Sequence, residues 1–190
     1  CVFTFPTVTP AQEYSIEVIQ VVGGIENTFP TCINNNGVVV GKCWTSNNAQ
    51  KGFIYEDGVM TVIYFSGSTY YYPLSISDND NYVGTVILPN VTKGFFNSEF
   101  LPTLGSDDSW ASDINNSDQI LGTTSDTQIR YLVIYENGQI IHSYPFPDGS
   151  TEAINDSGFA TGTDFPGGSF GRAYIYNYEE NQFNYLPVIG

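Results

Sequence analysis

Apolar and polar positions alternate along most of the chain in runs of five to seven residues, broken by Asn, Asp and Gly. That period of two, with turn residues between runs, predicts short strands joined by tight hairpins. One phrase recurs four times. It runs Cys32-Ile33-Asn34-Asn35-Asn36-Gly37-Val38-Val39-Val40-Gly41, then from Ser75 to Gly84, Asp113 to Gly122 and Ala153 to Gly162, with closing glycines 43, 38 and 40 residues apart. Each copy reads as strand, Asx-rich turn, strand, because Asn, Asp and Gly tolerate left-handed backbone and bond their own turns. A second hairpin follows each time. Lys51–Tyr55 turns at Asp57-Gly58, Lys93–Phe96 at Asn97-Ser98, Arg130–Tyr135 at Asn137-Gly138, and Arg172–Tyr176 near Asn181. Lys51, Lys93, Arg130 and Arg172 are four of the five basic residues, and they are expected to share one repeat position.

Four short strands per roughly 40 residues is the period of a β-propeller blade. The expected fold is all-β: a small propeller of four four-stranded blades over residues 33–190, with residues 1–32 as an additional N-terminal strand segment. A flat solenoid of hairpins is the alternative. Tyr14–Gly24 reads like the last strand of a repeat and its exit loop, so Tyr14, Ile16, Val18, Ile19 and Val21 form a surplus strand. It would close a ring, add an outer strand in cis, form a fifth partial blade, or be donated to a neighbouring copy, since an unpaired edge recruits strands.

Composition narrows the function classes. Of 190 residues, 20 are acidic and 5 basic, for a formal net charge of −15. Fifty Asn, Ser and Thr residues outnumber the charged ones two to one, so neutral polar groups wet the surface. Five scattered cations cannot track a phosphate backbone, which argues against nucleic acid. No apolar run reaches the ~18 residues of a membrane-spanning helix. The start at Cys1, the shortage of Lys and the wealth of Asn, Ser, Thr and Tyr suggest a processed extracellular or cell-surface protein. An alternative has Cys1 lipid-anchored.

The repeated phrase, Ile-Asn-Asx-x-Gly-x-x-x-Gly followed by basic-small-aromatic-aliphatic-aromatic, resembles the bacterial extracellular HAF-repeat family. Ala153–Gly158 and Arg172–Tyr176 match it best, while Ser77, Gly52 and Gly94 depart from it. The resemblance covers about residues 31–190 and implies a secreted propeller-like protein. It carries over no catalytic residue.

Candidate chemistry is sparse. The single histidine, His142, sits in a strand run with no nucleophile or orienting acid marked nearby, so no catalytic residue is named. Asp78 and Asp80 alternate with Asn79 and Asn81, a pattern that could give several oxygens to one calcium ion. Turn-making explains the same residues without metal, and no other cofactor is expected. Trp44, Tyr70, Tyr71, Tyr72 and Trp110 are candidate glycan contacts, since aromatic rings stack on sugar faces. Packing between blades is the plainer account of them. Three cysteines leave one over. Strand spacing sets Cys32 and Cys43 roughly 13 Å apart at ~3.3 Å per residue, so Cys1 would pair with Cys32 or Cys43.

These readings converge on a non-enzymatic, secreted structural protein that partners itself in a filament, tube or lattice. A glycan-binding surface module is the alternative. With a charge of −15 on each copy, association should tighten with salt, Ca²⁺ or mild acid.

Overall fold

The protein is represented by a computed structural model that describes residues 16, 18, 19, 25–146, 148–166 and 170–187. The described residues form sixteen strands and no helix. The first sheet comprises β1 (Ile25–Ile33), β2 (Val39–Thr45), β3 (Gln50–Glu56) and β4 (Val59–Ile63). The second holds β5 (Tyr70–Ile76), β6 (Tyr82–Leu88), β7 (Val91–Phe96) and β8 (Glu99–Phe100). The third holds β9 (Ser109–Ile114), β10 (Ile120–Ser125), β11 (Arg130–Glu136) and β12 (Gln139–Pro145). The fourth holds β13 (Ser150–Ile154), β14 (Phe159–Asp164), β15 (Arg172–Asn177) and β16 (Gln182–Tyr185). Each is an antiparallel meander in chain order. Four such sheets, one per repeat, make a small four-blade propeller-like fold. The first blade reaches back to Ile25, inside the segment that the repeat pattern leaves outside the propeller.

The closing glycines explain the repeat. In every blade the innermost strand carries one extra residue opposite the second strand, a β-bulge centred on Thr31, Leu74, Ser112 and Glu152. The bulge brings the inner strand's carbonyl against the glycine. A Cβ on Gly41, Gly84, Gly122 or Gly162 would overlap the carbonyl oxygen of Phe29, Tyr72, Trp110 or Ser150 respectively. Only glycine fits there. The Asx turn has its own constraint, a left-handed residue at Gly37, Asp80, Asp118 and Gly158. Asp-Gly at 57–58 and Asn-Gly at 137–138 both hold positive φ, as tight hairpins demand.

Successive blades pack face on face. β5 lies against β1, β2 and β3; β9 lies against β5, β6 and β7; β13 lies against β9 and β10. Each blade therefore has a leading face, turned toward the preceding blade, and a trailing face, on which the next inner strand sits. Leading faces carry the aromatic column: Phe95 packs with Tyr71, Ile63 and Phe65, Tyr135 with Val83 and Leu101, and Tyr174 and Tyr176 with Leu132 and Ile134. Among the described residues, no strand of the fourth blade packs on the first as closely as successive blades pack on each other. Among the described residues the trailing face of blade four has no following blade, whereas the leading face of blade one, with no described blade before it, is buried at Cys43, Phe53 and Met60 and has Ile19 packed on it.

One repeat assignment needs correcting. Lys51, Lys93 and Arg172 stand opposite Cys43, Val86 and Asp164, two residues beyond the closing glycine in each case. In the third blade that place, opposite Thr124, belongs to Tyr131. Arg130 pairs one residue further along, with Ser125, so strand alternation turns it to the other side of the sheet.

Candidate functional site

The Asx turns gather at one end of the array and are stitched to one another across blades. The Asn35 amide N–H donates to Asp78 Oδ1 at 2.9 Å, the Asp78 N–H to Asn116 Oδ1 at 2.8 Å, and the Asn116 N–H to Asp156 Oδ1 at 2.7 Å. These four residues each precede their closing glycine by six positions, so one bond recurs at three joints. The neighbouring position adds a second row. Asn34 Nδ2 donates to the Ser77 carbonyl (2.9 Å), the Ser77 hydroxyl to Asp118 Oδ1 (2.9 Å), and Asn115 Nδ2 to the Asn155 carbonyl (3.0 Å). Inner strands are tied as well, through Ser75 to Asp113 (2.5 Å) and Ser112 to Thr151 (2.6 Å).

This stitching occupies the proposed calcium ligands. Asp78 takes the Asn35 N–H and, at 2.7 Å, the Asn35 side-chain amide. Asp80 Oδ1 takes the amides of Asn34 (2.6 Å) and Asn36 (3.2 Å). The two amide groups of Asn35 hold the Asp78 carboxyl below its ordinary range. No group of three or more His, Cys, Asp or Glu side chains converges as a metal would require, among the described residues.

The candidate glycan contacts divide. Tyr70, Tyr71 and Tyr72 belong to the inner strand β5 rather than to a connection, so alternate rings point to opposite sides. Tyr71 is buried, stacked on Phe95 at 4.5 Å. Burial pushes its hydroxyl well above the usual tyrosine range. Tyr70 and Tyr72 stay half-buried and stack on each other at 6.0 Å, and Trp44 of the first blade meets Tyr70 edge-on at 6.5 Å. The Lys42 ammonium lies 5.6 Å from the Tyr72 ring and 5.8 Å from Phe29. Gln50 is buried, and its Oε1 has no hydrogen-bond partner. Trp110 stands apart, under the Arg130 guanidinium at 5.4 Å.

A column hidden in the repeat links these rings. Phe29, Tyr72, Trp110 and Ser150 each precede their closing glycine by twelve residues. An aromatic stands there in three blades, and counting back from the glycines would have found it. Cations cover the rings of Phe29, Tyr72 and Trp110. Elsewhere Lys51 lies 3.8 Å over Tyr64 and Arg172 lies 5.6 Å over Tyr185, while Lys93 reaches Asp107 at 4.0 Å.

Cys32 and Cys43 are free thiols on opposite sides of the first sheet. Cys32 packs with Ile76 of the second blade, and Cys43 lies in the leading-face cluster with Phe53 and Met60. Burial raises the Cys43 thiol, partly offset by Lys51. Cys1, Tyr14 and Val21 lie outside the described residues. Ile16 and Val18 are exposed, and Ile19 packs on the Cys43–Phe53 cluster. His142 rests beside the Tyr178 ring at 5.7 Å.

No protein-family model matches the chain, and no curated protein matches it significantly. Among solved structures it is similar to TolB from Acinetobacter baumannii, a β-propeller protein, at a TM-score of 0.61 and 13% identity. The match covers 85% of this chain and 43% of TolB, so the chain spans less than half the length of that neighbour. At that identity the likeness concerns the fold alone.

Proposed function

We propose that the chain is a non-enzymatic, secreted structural protein that assembles with copies of itself. The observation that carries this reading is the bare trailing face of blade four. There Leu186 is 43% exposed, whereas Leu101, its counterpart in the second blade, is 4% exposed. Ile175 is 38% exposed where Ile134 is fully buried. Ala153, Phe159, Ile175 and Leu186 line an apolar groove of about 390 Å³ on this face. Contiguous apolar surface of this kind marks an interaction site. The shortage of Lys and the wealth of Asn, Ser, Thr and Tyr support an extracellular setting. Electron microscopy and light scattering of the purified chain test the reading. Polymers or oligomers that grow with concentration and salt are expected; a ~21 kDa monomer under all conditions refutes it.

A second reading has one observation in its favour. Trp44, Tyr70 and Tyr72 meet as a half-buried aromatic cluster with Lys42 and the unpartnered Gln50 oxygen beside it. Such a cluster suits a sugar ring, with rings on its face and polar groups at its hydroxyls. Titration against a glycan panel checks it, and Tyr70→Ala should remove any binding found.

A further inference from the structure

The trailing face of blade four and the exposed Ile33 end of β1 are complementary parts of the joint already repeated three times within the array. Eight residues before each closing glycine stands an isoleucine: Ile33, Ile76, Ile114 and Ile154. The last three are 6%, 5% and 8% exposed, each packed against the preceding blade. Ile33, with no blade before it, is 64% exposed. At the other end, the trailing face of blade four offers the groove that an inner strand occupies on blades one to three.

The polar row is cut at matching points. Asn35, Asp78 and Asn116 each donate a backbone N–H to the next blade. Among the described residues, the amide of the fourth member, Asp156, has no following acceptor, and the side-chain oxygen of the first member, Asn35, receives no donor. An unused donor at the tail matches an unused acceptor at the head, the same pairing that the turns of the three internal joints make. Ile19 packs on the Cys43–Phe53 cluster of the leading face, which leaves Ile33 as the exposed member of the isoleucine column.

We infer that two copies of this chain join head to tail, and this rests on the self-assembly proposed above. Blade four of one copy receives β1 of the next. Ile33 of the second copy enters the groove of Phe159, Ile175 and Leu186, and the Asp156 amide of the first copy donates to Asn35 Oδ1 of the second. Such an interface is heterologous, so it closes into a ring if its rotation permits and otherwise extends into a filament. The groove itself is lined by uncharged residues, which limits repulsion between copies carrying −15 each. It is also weaker than the internal joints. Thr161 replaces the fully buried Val40, Val83 and Leu121 at one repeat position and spends its hydroxyl on the Tyr174 carbonyl (2.6 Å). A face built this way tolerates water until a partner arrives.

The test uses the full chain with two substitutions at exposed positions, Ile33→Asp at the head and Ile175→Asp at the tail, each checked for native far-UV circular dichroism. Light scattering should show wild type associating and each variant alone at least about tenfold weaker, a loss of about 1.4 kcal/mol. Mixed one to one, the variants should form dimers and nothing larger, because each supplies the end that the other lacks. Hydrogen exchange at the Asp156 amide should slow in wild-type assemblies. If wild type associates but Ile33→Asp associates equally well, or the variants fail to pair, the head-to-tail joint is wrong while self-assembly stands. If wild type stays monomeric throughout, self-assembly itself fails.

Discussion

The two ends of the array differ in how they treat the same problem. On the leading face of blade one, Cys43 and Phe53 are fully buried although no blade precedes them, with Ile19 packed against them. On the trailing face of blade four, Phe159, Ile175 and Leu186 remain 38–43% exposed. Among the described residues, one end is covered from within the chain and the other is open. A repeat protein must do something at both termini of its stack, because each unit buries its faces only against neighbours.

The largest effect should come from breaking an internal joint, the standard against which both ends are judged. In Gly84→Ala the new methyl overlaps the Tyr72 carbonyl and crowds Phe95. Neither the bulged inner strand nor the stacked rings can yield cheaply. A loss of about 3 kcal/mol, at the upper end for overpacking, is expected in urea titration. Gly162→Ala meets the equivalent Ser150 carbonyl, but among the described residues blade four packs closely on blade three alone. Its damage should stay local, seen as faster hydrogen exchange in β13 and β14 with the first three blades protected.

Next comes the contrast between the ends. Phe53→Ala removes a fully buried ring from the sealed face and should cost about 3–5 kcal/mol. Ile175→Ala, at a residue already 38% in water, should cost about 1 kcal/mol or less. Equal costs, measured by denaturant unfolding, would erase the distinction between a sealed and an open end. Ile19→Asp sharpens it further: unsealing the face should cost about 1–2 kcal/mol and expose Cys43 to thiol reagents.

Much of this was readable in the residues. The strand count, the left-handed turn positions and the closing glycines follow from period, Asx chemistry and spacing alone. The blade therefore emerges from local rules. Arg130 shows the limit: the basic residues look equivalent in the text, yet Tyr131 takes the shared position because register depends on pairing, which spacing approximates only to a residue. Tyr70–Tyr72 show another limit. Three consecutive tyrosines look like one patch, but strand alternation buries Tyr71 and leaves its neighbours half in water. What spacing could not supply is the bonding between turns. Asn35 and Asp78 lie 43 residues apart, and only stacking of the blades brings them together. The aspartates that suggested calcium are, for that reason, engaged by amides.

The smallest expected effect concerns that stitching and separates the joints by their chemistry. At the first joint Asp78 accepts both amide groups of Asn35, which lowers its folded pKa below the ordinary value. Folding holds the ionised form, so this contribution is fully present above the unfolded carboxylate's pKa. It is lost as pH falls through the depressed folded value. Asp126 behaves likewise, lowered by the amides of Gln128 and Ile129 and the Tyr131 hydroxyl. At the second joint the corresponding acceptor is Asn116, which does not titrate. Acid should therefore loosen the Asn35–Asp78 contact while the Asp78 N–H to Asn116 bond persists. Amide exchange followed between pH 5 and pH 2 should show protection at Asn35 falling more than at Asp78. Parallel loss at both would mean that the carboxylate adds nothing to the joint beyond what a neutral amide supplies.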